Sequence, residues 1–231
     1  MRNKSNVIVI SLGGSVFTGE GTVRVSFLKA FKKCLLSLVQ QRMCFVVVIG
    51  GGEVCRTYQD HARKAGVKSS RDLDWIGIYA TRLNAALVKS IFGSNTTDDL
   101  SYGNLKRQLR THPVLVLGGT APGGSSDRAM VALAREVGAR KVFNLSNITY
   151  VYDKDPRKHK DAQPFKQLTW GEYTVIIGGK RVPGGNYPFD PAAARLAERQ
   201  SMEVVIMDGR RLAEVKKALT GKPFIGTIIK A

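Results

Sequence analysis

Apolar residues recur along the chain in two registers. Val7 to Leu12, Cys44 to Ile49, Val114 to Leu117, Lys141 to Leu145 and Val204 to Met207 are short aliphatic runs, with the length and β-branched content of strands buried on both faces. Between them the spacing changes to three and four residues. Val25 to Val39 carries Phe27, Leu28, Phe31, Leu35 and Leu38 on one helical face, and Val54 to Lys64 predicts a helix with Gly66 as its C-terminal cap. A longer helix is expected from about Asp74, with Ile76, Ala80, Leu83, Leu87 and Ile91 as its apolar stripe and Gly93 ending it. Asp98 or Asp99 starts another short helix. A helix that opens near Asp127 stops at Gly138, and Thr169 to Tyr173 makes a helical turn. Asp190-Pro191 is an N-cap followed by proline at the first helical position of Ala192 to Arg199. Arg211 to Leu219 is a helix closed by Gly221, and Ile225 to Ile229 is the last strand. Asp153 to Gln163 is a polar excursion, and Gly178 to Pro188 a mobile Gly/Pro loop. Strands alternating with helices specify an α/β fold, a three-layer αβα sandwich around a mainly parallel sheet, as one domain over residues 1–231.

Three strands run into glycine clusters: Gly13-Gly14, Gly50 to Gly52, and Gly118-Gly119 with Gly123-Gly124. Glycine lets a backbone turn sharply and approach a ligand closely. The third cluster leads into a helix that Ser125, Ser126 or Asp127 can cap, and a helix N-terminus presents unpaired N–H groups to anions. One such turn is an ordinary strand-to-helix connection. Three at strand ends point to phosphate binding, because ligands of open α/β sheets sit beyond the carboxyl ends of the strands. None fits GxxxxGK[ST] or GxGxxG, which leaves a phosphate binder assembled from several loops.

Composition narrows the picture. With 231 residues, 43% of them hydrophobic, the chain can bury a substantial core. No apolar run approaches the roughly 20 residues of a membrane span, and the basic N-terminus is followed by too short an apolar run for a signal peptide. A cytoplasmic protein without membrane association is expected. Cys34, Cys44 and Cys55, and His61, His112 and His159, form neither a disulfide framework nor a metal motif. Thirty-six basic against 18 acidic residues give a net charge of +18, which favours polyanionic partners. The basic residues are scattered and no RNP-type or zinc-finger pattern accompanies them, so nucleic acid is compatible with the charge but not the expected partner.

The LGGS turn, IGGGEVCRTY, DWIGIYATRLNAALV, GGTAPGGSSD and NLSNITYVYDKDP occur in the order and approximate spacing of the amino-acid-kinase family. Within that family the chain most resembles the archaeal branch of uridylate (UMP) kinase, from Val7 to the C-terminal GTII. Isopentenyl phosphate kinases carry a histidine after the glycine cluster that is absent here, and carbamate and acetylglutamate kinases lack the Asp74 helix pattern. The resemblance implies a kinase that moves the γ-phosphoryl of Mg-ATP to UMP, with Mg²⁺ as cofactor, in a homo-oligomer (dimer or hexamer). It implies an acceptor lobe of about 1–139 and an ATP lobe of about 140–231. UMP would be held by Gly51, Asp74, Thr120, Ala121, Pro122, Gly123, Gly124, Ser125 and Ser126. ATP would be held by Gly14, Ser15, Gly52, Arg56, Ser146, Asn147, Tyr152 and Asp155. Asp127 would orient cationic groups or the metal near the transferred phosphoryl. From the residues alone Asp74 is equally a helix cap, Tyr152 core and Arg56 a solvated side chain.

Two departures stand out. Many relatives carry a phosphoryl-stabilising lysine at the position of Ser11, although some archaeal uridylate kinases lack it too. The family's N-V-D-G-V-Y is N-I-T-Y-V-Y here, with Thr149 and Tyr150 where Asp and a turn glycine are usual. Lys180 or Arg181 is the expected source of the missing charge. These departures and the charge define the rival readings: a weakly catalytic nucleotide-binding regulator, a nucleic-acid binder on the same scaffold, or a kinase of another small phosphate acceptor.

Overall fold

The strand between Asn6 and Leu12 lies at the centre of the architecture, because its side chains are buried on both faces of a seven-stranded sheet. The structure is a computed structural model and describes residues 6–97, 104–178 and 187–231. The strands are β1 (Asn6–Leu12), β2 (Met43–Ile49), β3 (Val114–Leu117), β4 (Lys141–Ser146), β5 (Gln167–Thr169), β6 (Glu203–Asp208) and β7 (Thr227–Lys230), in the spatial order β3-β2-β1-β4-β6-β7-β5. All pairings are parallel except β6 with β7. Among the described residues, eight helices of seven or more residues cover the sheet: α1 (Val25–Val39), α2 (Gly52–Lys64), α3 (Ser70–Phe92), α4 (Leu105–Thr111), α5 (Ser126–Val137), α6 (Trp170–Ile176), α7 (Pro191–Arg199) and α8 (Leu212–Leu219).

The period of two along the strands sorts the core into two layers. Ile8, Ile10 and Leu12 of β1, with Phe45, Val47 and Ile49 of β2, pack under α1, α3 and α8. Val9, Val46, Val48 and Val142 point the other way, beneath α4 to α7. Full burial of each such side chain contributes roughly 1.5–3 kcal/mol, which is why both faces of the central strands are apolar. Ser11 is buried on β1 in the register of Val9, and Asn144 on β4 in the register of Val142. These two polar positions interrupt one face near the carboxyl ends of adjacent strands. The chain runs from β1 outward to β2 and β3, then crosses back to β4 on the opposite side of β1. The crevice beyond β1 and β4 is therefore the topological switch point where ligands of such sheets bind.

The expected three-layer fold is observed, with local corrections. The long helix begins at Ser70, capped by Ser69, so Asp74 lies in its second turn and is not a cap. Its buried residues are Ile78, Ala80, Asn84, Ala85, Val88 and Phe92, whereas Leu83 and Leu87 are exposed. The predicted stripe holds at Ala80 but is one residue out of phase from Leu83 onward, because Asn84, Ala85 and Val88 face inward where Leu83 and Leu87 are expected. The Thr169 turn is a longer helix, α6, with a Thr169–Glu172 capping box, and it follows an unpredicted edge strand, β5. The last strand starts two residues later than expected, at Thr227. Neither Thr149 nor Tyr150 has a positive φ, so the turn there does not need the glycine that relatives carry. The helix start at Asp98 or Asp99, Lys180, Arg181 and most of the Gly178 to Pro188 stretch lie outside the described residues.

Candidate active site

Two glycine turns meet beyond β1 and β2. The Gly50 N–H donates to Leu12 O (2.9 Å) and the Gly13 N–H to Leu145 O (2.8 Å), which ties the ends of β2, β1 and β4 together. A Cβ on Gly14 would stand 2.3 Å from the Gly52 nitrogen and 2.5 Å from its Cα, so only glycine lets these two backbones touch. Gly52 has φ +64° and begins α2, whose first-turn N–H groups open towards the same point. Arg56 stands exposed one turn into α2. Ser15 is half-buried in the single helical turn Gly14–Phe17 that follows β1.

The helix α3 holds the Gly50–Gly52 turn and the 118–126 loop together. Asn84 is buried and donates through Nδ2 to Gly50 O (2.9 Å) and Gly51 O (3.1 Å). Thr81 Oγ1 accepts the Gly119 N–H (2.7 Å), and Arg82 donates through Nε to Gly119 O (2.9 Å). Two turns earlier, Asp74 Oδ2 accepts the Gly123 N–H (2.8 Å). Gly118 allows the close pass, since a Cβ there would lie 3.0 Å from the Arg82 Cα. Asp74 is thus brought together with the 118–126 loop, and Gly51 joins them through Asn84. Thr120, Ala121, Pro122, Gly123 and Gly124 form the loop itself; Ser125 caps α5 by accepting the Arg128 N–H (3.2 Å), and Ser126 begins that helix.

Asp127 stands in the first turn of α5, over the polar gap in the sheet. Its Oδ2 accepts the Asp190 N–H (3.0 Å), and it also receives a hydrogen bond from the Ser11 hydroxyl. Burial pushes its carboxyl up to about 7; the neighbouring Asp190 carboxylate adds to the rise, while the Asp190 N–H and Ser11 oppose it. The Pro188–Asp190 segment is fixed by Asn144 Nδ2 donating to Pro188 O (3.1 Å) and by the Tyr173 hydroxyl, which donates to Phe189 O (2.6 Å) and accepts its N–H (2.8 Å).

On the other side of the crevice, Ser146 ends β4 beside Gly13, and its carbonyl accepts the Gly209 N–H (2.9 Å). Asn147 O accepts a hydrogen bond from Arg210 Nη2 (3.4 Å), and Arg210 is held by Asp208 (2.7 Å). Tyr152 lies on the short Val151–Tyr152 strand, edge-on to Tyr150. Asp155 is engaged within its own turn: its carboxylate accepts the Arg157 N–H and both forks of the Arg157 side chain (3.0 Å each), and that arginine holds it below the usual carboxylate range. No contact links Tyr152 or Asp155 to the glycine turns among the interactions of the described residues.

Sequence reasoning passed over Thr81, Arg82, Asn84, Asn144, Asp190 and Arg210. Asn144 left a usable signal, since it is a polar residue inside a strand read as buried on both faces, whereas the apolar spacing of the long helix put Leu83 in the core in place of Asn84. Arg210 was one of many scattered basic residues and left none. A groove of about 1150 Å³ opens at the opposite edge of the sheet, lined by Asn6, Met43, Arg140 and Lys141 among others. It faces the amino ends of the strands, away from all three glycine clusters. Among the described residues no group of three or more His, Cys, Asp or Glu side chains is arranged to hold a metal ion, and no helix is long and apolar enough to cross a membrane.

Residues 6–208 match the model of the amino acid kinase family. The chain is 34% identical over 224 residues to a uridylate kinase of Methanobrevibacter smithii, covering 95% of this chain and 97% of that one. It is 37% identical over 217 residues to a uridylate kinase of Pyrobaculum calidifontis, covering 93% and 96%. The crystal structure of uridylate kinase from Archaeoglobus fulgidus superposes with a TM-score of 0.82 at 32% identity, over 97% of this chain and 99% of that one.

Proposed function

The chain belongs to the amino acid kinase family, and from that premise we infer that it is a uridylate kinase, a nucleoside-monophosphate kinase that transfers the γ-phosphoryl of ATP to UMP and yields UDP. The observation that carries this reading is the contact of the two glycine turns, Gly14 against Gly52, at the switch point of the sheet. Two polyanions meet there over backbone N–H groups, and full-length relatives named uridylate kinase share the chain from end to end.

On this reading UMP lies over Gly51, Asp74 and the Thr120–Ser126 loop, and ATP over Gly14, Ser15, Gly52, Arg56, Ser146, Asn147, Tyr152 and Asp155. The division corresponds to an acceptor part of about 1–139 and a donor part of about 140–231. Asp74 uses one carboxylate oxygen to fix Gly123 and keeps the other for the ribose hydroxyls. The UMP phosphate oxygen is already an anionic nucleophile, so no strong general base is needed. Catalysis rests on positioning and on charge stabilisation of the transferring group. The first-turn amides of α2 and the Arg56 guanidinium supply positive potential. Arg210 joins this set from the end of β6, on the side of Asn147.

The residues present suit Mg²⁺ that is held chiefly by the phosphates: Asp127 is the approachable carboxylate, the neighbouring Asp190 is engaged by the Ala192 and Ala193 N–H groups, and no cage of three or more acidic residues is arranged among those described. Bound with ATP, the ion would neutralise charge on the transferred group. Asp127 would face it from the protein side and orient the water or cations around it. A cytoplasmic location suits a chain that draws on nucleotide pools.

We also assign the protein as a homo-oligomer, dimer or hexamer. Tyr79, Leu83 and Leu87 are 61%, 65% and 38% exposed along one stripe of α3, an apolar face suited to burial against a second copy. Sedimentation velocity should give a mass at least twice the 25.3 kDa of the chain, and Leu83→Glu should return it to the monomer value; a wild-type monomer would rule this out. The catalytic reading is tested by ADP release with UMP against other monophosphates, in wild type and Asp74→Ala.

A further inference from the structure

We propose that Arg82 is a positioning residue that sets the acceptor loop and aims its backbone amides at the nucleotide. The inference rests on the acceptor reading of the 118–126 loop. Arg82 lies on the second half of α3 and donates through Nε to Gly119 O (2.9 Å) and through Nη2 to Thr120 O (3.4 Å). Its guanidinium carbon is 6.0 Å from the centre of the Trp75 ring and 5.8 Å from that of Tyr79. The two rings sit seven and three residues before it, on the same helical face, and are themselves 5.9 Å apart. The arginine is therefore held in one orientation by aromatic contact while its fork captures two consecutive carbonyls.

Peptide planarity makes this capture consequential. In a trans peptide the C=O of one residue and the N–H of the next point in opposite directions. With the Gly119 and Thr120 carbonyls turned towards α3, the N–H groups of Thr120 and Ala121 must face away from it. Among the described residues neither of these N–H groups has a hydrogen-bond partner, whereas the flanking Gly119 and Gly123 N–H groups are spent on Thr81 and Asp74. Thr81 and Asp74 pin the two ends of the loop, and Arg82 fixes the rotation of the peptides between them. These are the two amides of the loop whose direction Arg82 sets for an acceptor. A lysine carries its three donors on one nitrogen and has no planar fork, so it cannot reproduce the fixed, aromatic-stacked geometry that holds both carbonyls.

The test is titration calorimetry of the full chain with UMP and, separately, with ATP, beside steady-state kinetics, for wild type, Arg82→Ala, Arg82→Lys and Tyr79→Leu. Arg82→Ala should weaken UMP, in Kd and in KM, by 10-fold or more, with the ATP constants within about twofold of wild type. Arg82→Lys should recover only a small part of the loss. Tyr79→Leu keeps the bulk and removes one ring, and should shift UMP a few-fold in the same direction. A merely structural arginine would lower the melting temperature and the active fraction and leave the constants of the folded molecules alone. Equal weakening of UMP and ATP, or an unchanged UMP constant in folded Arg82→Ala, overturns the proposal. If wild type phosphorylates a different monophosphate, the UMP reading fails by itself, and the same comparison with that acceptor decides Arg82.

Discussion

Gly52→Ala is expected to reduce kcat/KM by at least a hundredfold, and to do so through the backbone. The residue has φ +64°, where an L side chain is strained by roughly 1–2 kcal/mol. Its Cβ would also stand 2.5 Å from Thr18 Oγ1 and 2.8 Å from the carbonyl carbon of Gly14. The hydroxyl can rotate, but the Gly14 backbone can move only by shifting the turn that follows β1. A displacement of about 1 Å in a positioning site is worth around a hundredfold in rate. Gly138→Ala is the matched control, because Gly138, which ends α5 away from the glycine turns, has φ +81° but nothing within 4 Å of the added carbon. It should show the strain alone, a modest fall in melting temperature with much of the turnover kept. The two variants, compared by kinetics and thermal denaturation, separate close approach from backbone strain. Wild-type turnover in Gly52→Ala would mean that contact between the two turns is not part of the site.

Asp127→Asn should have the second-largest effect and the most diagnostic pH dependence. The folded carboxyl titrates at about 7, well above an ordinary aspartate. Between about pH 4 and 7 the folded protein therefore holds a proton that the unfolded chain has released, and its stability falls as pH rises through that window. Above pH 7 the loss is complete, with an upper bound of about 4 kcal/mol. Asparagine cannot ionise, so chemical denaturation should find the variant more stable than wild type at pH 8 and nearly equal at pH 4. Activity should move the opposite way. An ionised Asp127 is the form that can face cations at the transferred phosphoryl, so wild-type kcat should rise through an apparent pKa near 7. Asp127→Asn should lose about a hundredfold and show no such rise. A variant that keeps the wild-type pH profile would leave Asp127 with a structural role only, as the acceptor that fixes Asp190.

These expectations show which parts of the molecule were legible in sequence. The central strands and the layer order were, because a sheet covered on both faces leaves short β-branched apolar runs, whereas the edge strand β5, with one buried residue in three, leaves none. The glycine clusters were legible for a related reason: three breaks at three strand ends have no packing explanation. The phase of α3 was not. Leu83 and Leu87 looked like core, yet they are exposed, while the inner face uses Asn84 and Ala85 to let the helix approach Gly50 and Gly118. Hydrophobicity cannot distinguish a leucine turned to the sheet from one left on the outside. The hydrogen bonds of Thr81, Arg82 and Asn84 join residues more than 30 positions apart, and only the fold brings those together. Ser11 was legible as a polar break in an apolar strand, and the structure gives its hydroxyl a partner in Asp127.

The measurement that bears most directly on the whole account is ADP release from Mg-ATP with UMP, CMP, AMP, GMP and isopentenyl phosphate supplied side by side, for wild type and Asp74→Ala. The account predicts turnover selective for UMP, and a rise of 10-fold or more in the UMP KM when Asp74 is removed. Selectivity for another acceptor would contradict the UMP assignment. Absence of turnover with every acceptor, in a chain that still binds UMP and ATP, would contradict the catalytic reading and leave a nucleotide-binding protein on a kinase fold.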